Sequence, residues 1–578
     1  MPLGGGDYPG ADADAGAGTS ARRRTAEQPE EDPMPWPAGT TTATARVPDP
    51  VNEPVRTYAP GTPERARLEQ RLAAMGKERI EAPMVIGGAA VSGRSTFPVT
   101  APHRHDLVLA DVHAATPEHV HRAIDAALAV AADWAALPWE ERAGVFLRAA
   151  DLLAGPWRDT VNAATMLGQS KSAHQAEIDA VCELADFWRF NTHFAAEIHA
   201  QQPISAAGVW NRTDYRPLEG FVLAMTPFNF TSIAGNLPTA PALMGNVAVW
   251  KPSEKQALSA HYLMELLRAA GLPDGVVNLV HGDGALVSDV AMAHPAFAGL
   301  HFTGSTAVFR GLWRKAAERL DGYRNYPRLV GETGGKDFVV AHASADVERL
   351  VVALGQGAFE YQGQKCSAAS RAYIPRSLWP AVREGIADLA GSLPMGDVAD
   401  LSNFLGAVIE ERAFRRHVEA IEQARTAGAE VVAGGAGDDR EGWFVQPTVL
   451  RTDDPRSDTM VRELFGPILT VYVYDDADWE ATLGLVDESA YGLTGSVFAT
   501  DRRAVLDAMG RLRFAAGNFY VNDKPTGAIV GQQPFGGARA SGTDDKAGSA
   551  LNLVRWVASR AIKETSSAAR DWRYPHLG

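Results

Sequence analysis

The chain has 578 residues, 46% hydrophobic and 22% charged, with a formal net charge of −15. This length allows about two to four domains with ample core. The acidic balance disfavours nonspecific binding to nucleic acid or an anionic membrane, and no run of about 18 apolar residues is present to span a bilayer. Two cysteines cannot build a disulfide framework, so a reducing compartment, the cytoplasm, is expected.

Residues 1–50 are rich in Ala, Gly, Thr and Pro and read as a disordered tail. No apolar segment follows Arg22, Arg23 and Arg24, and scattered acids argue against a transit peptide. Met34 is an alternative start. Thr116, Pro117 and Glu118 predict a helix start, a cap followed by proline and an acid, with the helix running to about 136. Further amphipathic helices are expected over 140–155 and 177–198. The second holds Cys182 among Val181, Leu184 and Phe187, so that cysteine reads as structural. Residues 202–219 break the helical pattern and predict a hairpin arm.

From Gly220 the pattern becomes α/β. Strands are expected over 221–225, 247–250, 276–280 and 300–302. Helices are expected over 231–245, 259–270 (with Ser259 as N-cap), 285–294 and 305–320. This alternation implies a parallel, doubly wound sheet, which binds ligands beyond the carboxyl ends of its strands. Asn229, Lys251 and the Gly304-Ser305 pair fall at such ends. A second α/β segment follows Glu332: a strand over 337–341, a helix over 345–360 and a strand over 371–374. Glu332 is expected in a loop. Residues 518–542 form a long, loop-rich stretch with many glycines, and 551–563 alternate like an exposed strand in want of a partner. No internal repeat is visible.

The chemistry concentrates in Phe359 to Ser370, FEYQGQKCSAAS. A thiolate is a good nucleophile, and the neighbouring Lys365 would lower the pKa of Cys366. On local context Cys366 is either a nucleophile or an inert core cysteine. Glu332, in GETGGK, offers a carboxylate as a separate general base. No G-x-G-x-x-G occurs, and Gly282-Asp283-Gly284 reads as a turn. Gly304-Ser305 before a helix suits either a phosphate site or an ordinary capped helix. Lys251 and Glu254 are either ribose ligands or solvated loop charges. No G-x-S-x-G or H-E-x-x-H motif supports a serine hydrolase or a zinc protease, and no metal is expected.

Taken together, TPFNF (226–230), KPSE (251–254), FTGST (302–306), GETGGK (331–336), GQKCS (363–367) and ELFGP (463–467) resemble the aldehyde dehydrogenase family, in that family's order and over nearly all of 55–565. The resemblance implies an α/β aldehyde dehydrogenase fold: a Rossmann-like NAD-binding domain over 51–330, a catalytic domain over 331–525, and a β-hairpin oligomerisation flap near 202–219. Residues 526–578 would form a substrate-anchor loop and a C-terminal oligomerisation strand. It also implies Cys366 as nucleophile, Asn229 and the Cys366 N–H as oxyanion hole, and Glu332 as base. NAD would contact Lys251, Glu254, Ser305, Glu463 and Phe465, with Glu254 disfavouring NADP.

The C-terminal stretch 517–543 and GFVLAMTPFNFTSIAGNL (220–237) resemble the branch of that family that oxidises L-glutamate γ-semialdehyde in proline breakdown. That branch would anchor the substrate's α-carboxylate on Ser367 and on the N–H groups of Gly527 and Ala528, an anion nest without a cation. Some relatives carry serine where Ala528 stands, so that hydroxyl contact is missing here. Phe535 would pack on the substrate's aliphatic part. The expectation is a monofunctional homodimer or higher homo-oligomer, and transient contact with proline dehydrogenase is left open.

Overall fold

The computed structural model describes residues 46–567 and 569–578. Most of the expected tail, residues 1–45, lies outside the described residues. Residues 46–50 carry no regular structure, and Val47 packs against the first core.

The strands Phe221–Thr226, Val247–Pro252 and Phe297–Thr303 are fully buried and largely apolar, as strands covered on both faces are. They form a seven-stranded sheet in the order Arg328–Glu332, Phe297–Thr303, Phe221–Thr226, Val247–Pro252, Val277–Leu279, Met84–Ile86, Ala89–Val91. The five strands from Arg328–Glu332 to Val277–Leu279 run parallel. The antiparallel ribbon at 84–91 was not foreseen. Glu332 does not lie in a loop: it ends the edge strand, opposite Thr303. Ser259 is not an N-cap either. The helix begins at Ala257, and the Ser259 hydroxyl donates back to the Gln256 carbonyl inside its first turn.

The helix Thr231–Leu243 contains Pro238 and Pro241 yet stays helical. A proline orphans the carbonyl four residues back. For Pro241 that is Leu237 O, which lies 2.9 Å from His301 Nδ1. At the other end, Thr116 caps Pro117–Ala136, with its N–H donating to His119 Nδ1 at 3.1 Å.

The second seven-stranded sheet runs Glu430–Ala433, Thr448–Thr452, Ile468–Tyr474, Ala369–Pro375, Asp337–Ala341, Thr494–Phe498, Asn518–Val521, and only its first pair is antiparallel. Residues 333–336 join the two sheets. The expected hairpin at 202–219 holds one strand, Val209–Pro217, rather than two. Its antiparallel partner is Val557–Thr565, paired from Val557↔Pro217 to Thr565↔Val209. The alternating C-terminal strand thus finds its partner within the chain. Just before it, Leu553 and Trp556 are buried in the core of the first sheet.

Candidate active site

The helix Val347–Phe359 stops at a turn in which Tyr361, Gln362 and Gly363 all take positive φ, 51°, 55° and 64°. Two non-glycine residues in this region cost roughly 1–3 kcal/mol each, so the surroundings must hold them. Gln362 Nε2 donates to the carbonyls of Ala407 (2.7 Å) and Ser170 (3.0 Å), and Gln364 Oε1 accepts from Ile409 N–H at 2.9 Å. This clamped turn delivers Cys366 just before the strand Ala369–Pro375, in a buried position.

Asn229 follows the strand Phe221–Thr226 and reaches across to the same turn. Its Nδ2 donates to the Gln364 carbonyl at 3.0 Å. One amide hydrogen is thereby held on the cysteine loop and the other is left for a ligand. Gly334 and Gly335 permit the close approach of the two sheets. A Cβ at 334 would lie 2.2 Å from a Glu463 carboxylate oxygen, and one at 335 would lie 2.2 Å from the Cys366 carbonyl. Glu463 Oε1 accepts the Gly335 N–H at 2.9 Å.

Burial pushes the Cys366 thiol well above its usual pKa, and the carboxylates of Glu332, Asp337 and Glu463 add to the rise. The expectation that Lys365 activates this thiol is corrected. Its ammonium is turned to Asp179 (3.6 Å) and Glu360 (3.5 Å). Burial pushes Glu332 up to about 8, with Lys546 opposing and Asp544 adding. Its Oε1 is enclosed without a hydrogen-bond partner, a proton acceptor held in reserve. Glu332 lines a narrow cavity of about 50 Å³, shared with Glu183, Phe535, Asp544 and Lys546. A water needs roughly 10–15 Å³ of such space, so a few fit beside the carboxyl group.

Glu183 was missed from the sequence. It carries no motif, and only the packing of its helix puts it here. Ser232 donates to its Oε2, and burial, then the charge of Asp179, pushes it up to about 8. Thr526 was also missed: its hydroxyl pairs with that of Ser367 at 2.8 Å, both buried. Beyond it, Gly527 takes φ 95° and exposes its backbone. Phe535 is half-buried and bridged through its backbone to Ala547.

Lys251 is the penultimate residue of the buried strand Val247–Pro252, and burial pulls its pKa down against the opposing charges of Glu254 and Asp283. Glu254 is exposed at the start of a short 3₁₀ turn. Ser305 is the exposed N-cap of the 13-residue helix Thr306–Glu318 and makes no side-chain cap bond, so that helix terminus is open to an anion. Phe465 has φ 57° and meets Phe228 edge to face, with centroids 5.8 Å apart. The donor set suits a dinucleotide: an open helix N-terminus for pyrophosphate, and a lysine with carboxylates for ribose hydroxyls.

A buried thiol, an amide donor bonded to the loop that carries it, a buried carboxyl group with an unpartnered oxygen, and a lysine and an open helix N-terminus beyond the strands of the first sheet make up the candidate site. The family model described as "Aldehyde dehydrogenase family" matches residues 90–559, and the chain belongs to that family. Within it, the chain is 50% identical over 537 residues to a delta-1-pyrroline-5-carboxylate dehydrogenase of Agaricus bisporus, covering 92% of this chain and 98% of the relative. A Dictyostelium discoideum relative of the same name, styled mitochondrial, is 48% identical over 540 residues, 93% of this chain and 97% of the relative. The crystal structure of the Mycobacterium tuberculosis Delta-pyrroline-5-carboxylate dehydrogenase bound with NAD matches with a TM-score of 0.90 at 59% identity, covering 93% of this chain and 100% of that one.

Proposed function

We propose that this chain is an NAD-dependent aldehyde dehydrogenase that oxidises L-glutamate γ-semialdehyde, formed by hydrolysis of 1-pyrroline-5-carboxylate, to L-glutamate. The observation that carries the reading is that Asn229 Nδ2 is bonded to the Gln364 carbonyl, two residues before the buried Cys366, while the Glu332 carboxyl group is near enough to that thiol for its charge to act on it. The relatives matched over 97–98% of their own length and named for 1-pyrroline-5-carboxylate support the choice among aldehydes.

In this reading Cys366 Sγ releases its proton to solvent and adds as the thiolate to the aldehyde carbon. The oxygen that becomes negative is held by the free Asn229 amide hydrogen and the Cys366 N–H, donors fixed before the charge develops. NAD, when bound, supplies the hydride acceptor that turns the thiohemiacetal into a thioester; Lys251, Glu254, Ser305, Glu463 and Phe465 would hold it. Glu332 takes a proton from water, the hydroxide adds to the thioester, and the Cys366 thiolate leaves as the carboxylate forms. Ser367, with its partner Thr526, and the N–H groups of Gly527 and Ala528 anchor the α-carboxylate, while Phe535 lies along the methylenes. The first sheet with the ribbon would be the NAD-binding domain and the second sheet the catalytic domain.

The exposed strand pair Val209–Pro217 and Val557–Thr565, with Trp210 59% exposed, supports assembly into a homodimer or larger homo-oligomer, which light scattering tests. The two free thiols fit the cytoplasm, which cell fractionation tests against the mitochondrial naming of some relatives. Transient contact with proline dehydrogenase, the source of this substrate, is open to crosslinking. Among the described residues no helix is long and apolar enough to cross a membrane.

The test is NADH production from fresh 1-pyrroline-5-carboxylate beside succinate semialdehyde and propanal, with NAD and then NADP. Preference for the first substrate with NAD supports the reading. Activity on simple aldehydes alone overturns the substrate, and turnover by Cys366→Ala overturns the nucleophile.

A further inference from the structure

We infer that Glu360 is a positioning residue that sets the distance between the nucleophile and the carboxylate anchor. The inference rests on the reading of Ser367, Gly527 and Ala528 as that anchor. A chain of alternating charge runs beneath the site. Lys171 Nζ lies 2.6 Å from Asp179 Oδ2, which lies 3.6 Å from Lys365 Nζ. Lys365 Nζ lies 3.5 Å from Glu360 Oε2, and Glu360 Oε1 lies 2.5 Å from Lys524 Nζ. Lys171, Asp179, Glu360 and Lys365 are all buried. The Lys171 ammonium also sits over the rings of Phe230 and Tyr361, at 4.3 and 4.4 Å.

The two oxygens of Glu360 therefore hold two different loops. One binds the residue immediately before Cys366; the other binds Lys524, three residues before Gly527. The Ser367–Thr526 hydroxyl pair is a second tie between the same loops. An aldehyde gripped at both ends needs this separation fixed, because a misplacement of about 1 Å is enough to cost a large factor in rate. An aldehyde without a carboxylate does not need it.

A buried ion chain is weak evidence for stability, since apolar residues often hold a core as well; here the two oxygens of Glu360 tie the loop before Cys366 to the loop before Gly527.

The test uses Glu360→Gln, which keeps the shape and removes the charge, and Lys524→Ala, which cuts the chain at its partly exposed end should the first variant fail to fold. Kinetics with glutamate semialdehyde and with propanal are measured for each, together with protection of Cys366 from iodoacetamide by L-glutamate. The expected result is a kcat/KM for the semialdehyde lowered about tenfold, with propanal kcat/KM within about twofold. Lys524→Arg should restore the kcat/KM lost in Lys524→Ala. An equal loss with both aldehydes, or no change with the semialdehyde, overturns the inference. If the wild-type enzyme does not turn over the semialdehyde, the proposed substrate fails, and the protection assay still decides on Glu360. There, half-protection by L-glutamate should need about tenfold more ligand in Lys524→Ala. Equal protection, or none in the wild type, overturns the inference.

Discussion

Asn229 Nδ2 and the carbonyl of Gln364 are joined by a 3.0 Å hydrogen bond that ties an amide on the first sheet to the loop carrying Cys366. The bond orients the amide before any substrate arrives, which is the condition for stabilising a developing oxyanion at no cost in reorganisation. Asn229→Ala should lower kcat by about 10²–10³-fold with KM little changed. A loss smaller than about fivefold in steady-state assays would remove Asn229 from the oxyanion hole.

Glu332 should appear as the base of the second half-reaction. With Glu332→Gln, the thioester forms but is hydrolysed slowly, so rapid mixing should show a burst of NADH followed by a slow steady state. An unchanged steady-state rate would show that another group activates the water.

The same residue sets a pH dependence. Burial pushes its pKa up to about 8, so the neutral form dominates at lower pH. A base must be ionised to act, and at pH 6 only about one carboxyl in a hundred would be. The deacylation rate should therefore rise about tenfold per pH unit up to about 8 and then level. Single-turnover hydrolysis across this range measures it; a flat profile in the wild type would count against Glu332.

Gly334 leaves room for Glu463, whose carboxylate would lie 2.2 Å from a Cβ at that position. Since the obstructed group is the end of a flexible side chain, Gly334→Ala should fold and displace Glu463. The expected result is a raised KM for NAD, read beside an unchanged melting temperature. An unchanged KM would separate Glu463 from the cofactor.

Glu254 is exposed beside Lys251, where a 2′-phosphate would meet a like charge. Two like charges 4 Å apart in water oppose each other by about 1 kcal/mol. Glu254→Gln should therefore improve kcat/KM for NADP about fivefold and leave NAD nearly unaffected. Equal effects on both nucleotides would place Glu254 away from the ribose.

Local rules made the parallel core legible. Phe221–Thr226 and Val247–Pro252 are short apolar runs between small-residue helices, and that pattern alone places Asn229 and Lys251 at one edge of a sheet. The motif residues were legible because each type has a chemical reason to stand where it does. Only the tertiary structure decided how they are tuned. It turned Lys365 from Cys366 to Asp179 and Glu360, brought Glu183 and Glu332 into one cavity, and gave the 209–217 strand a partner at 557–565. Side-chain chemistry and hydrophobic period are written along the chain and can be read from neighbours in sequence. Desolvation and the choice among oppositely charged partners depend on groups hundreds of residues apart, and exist only once the chain has closed around them.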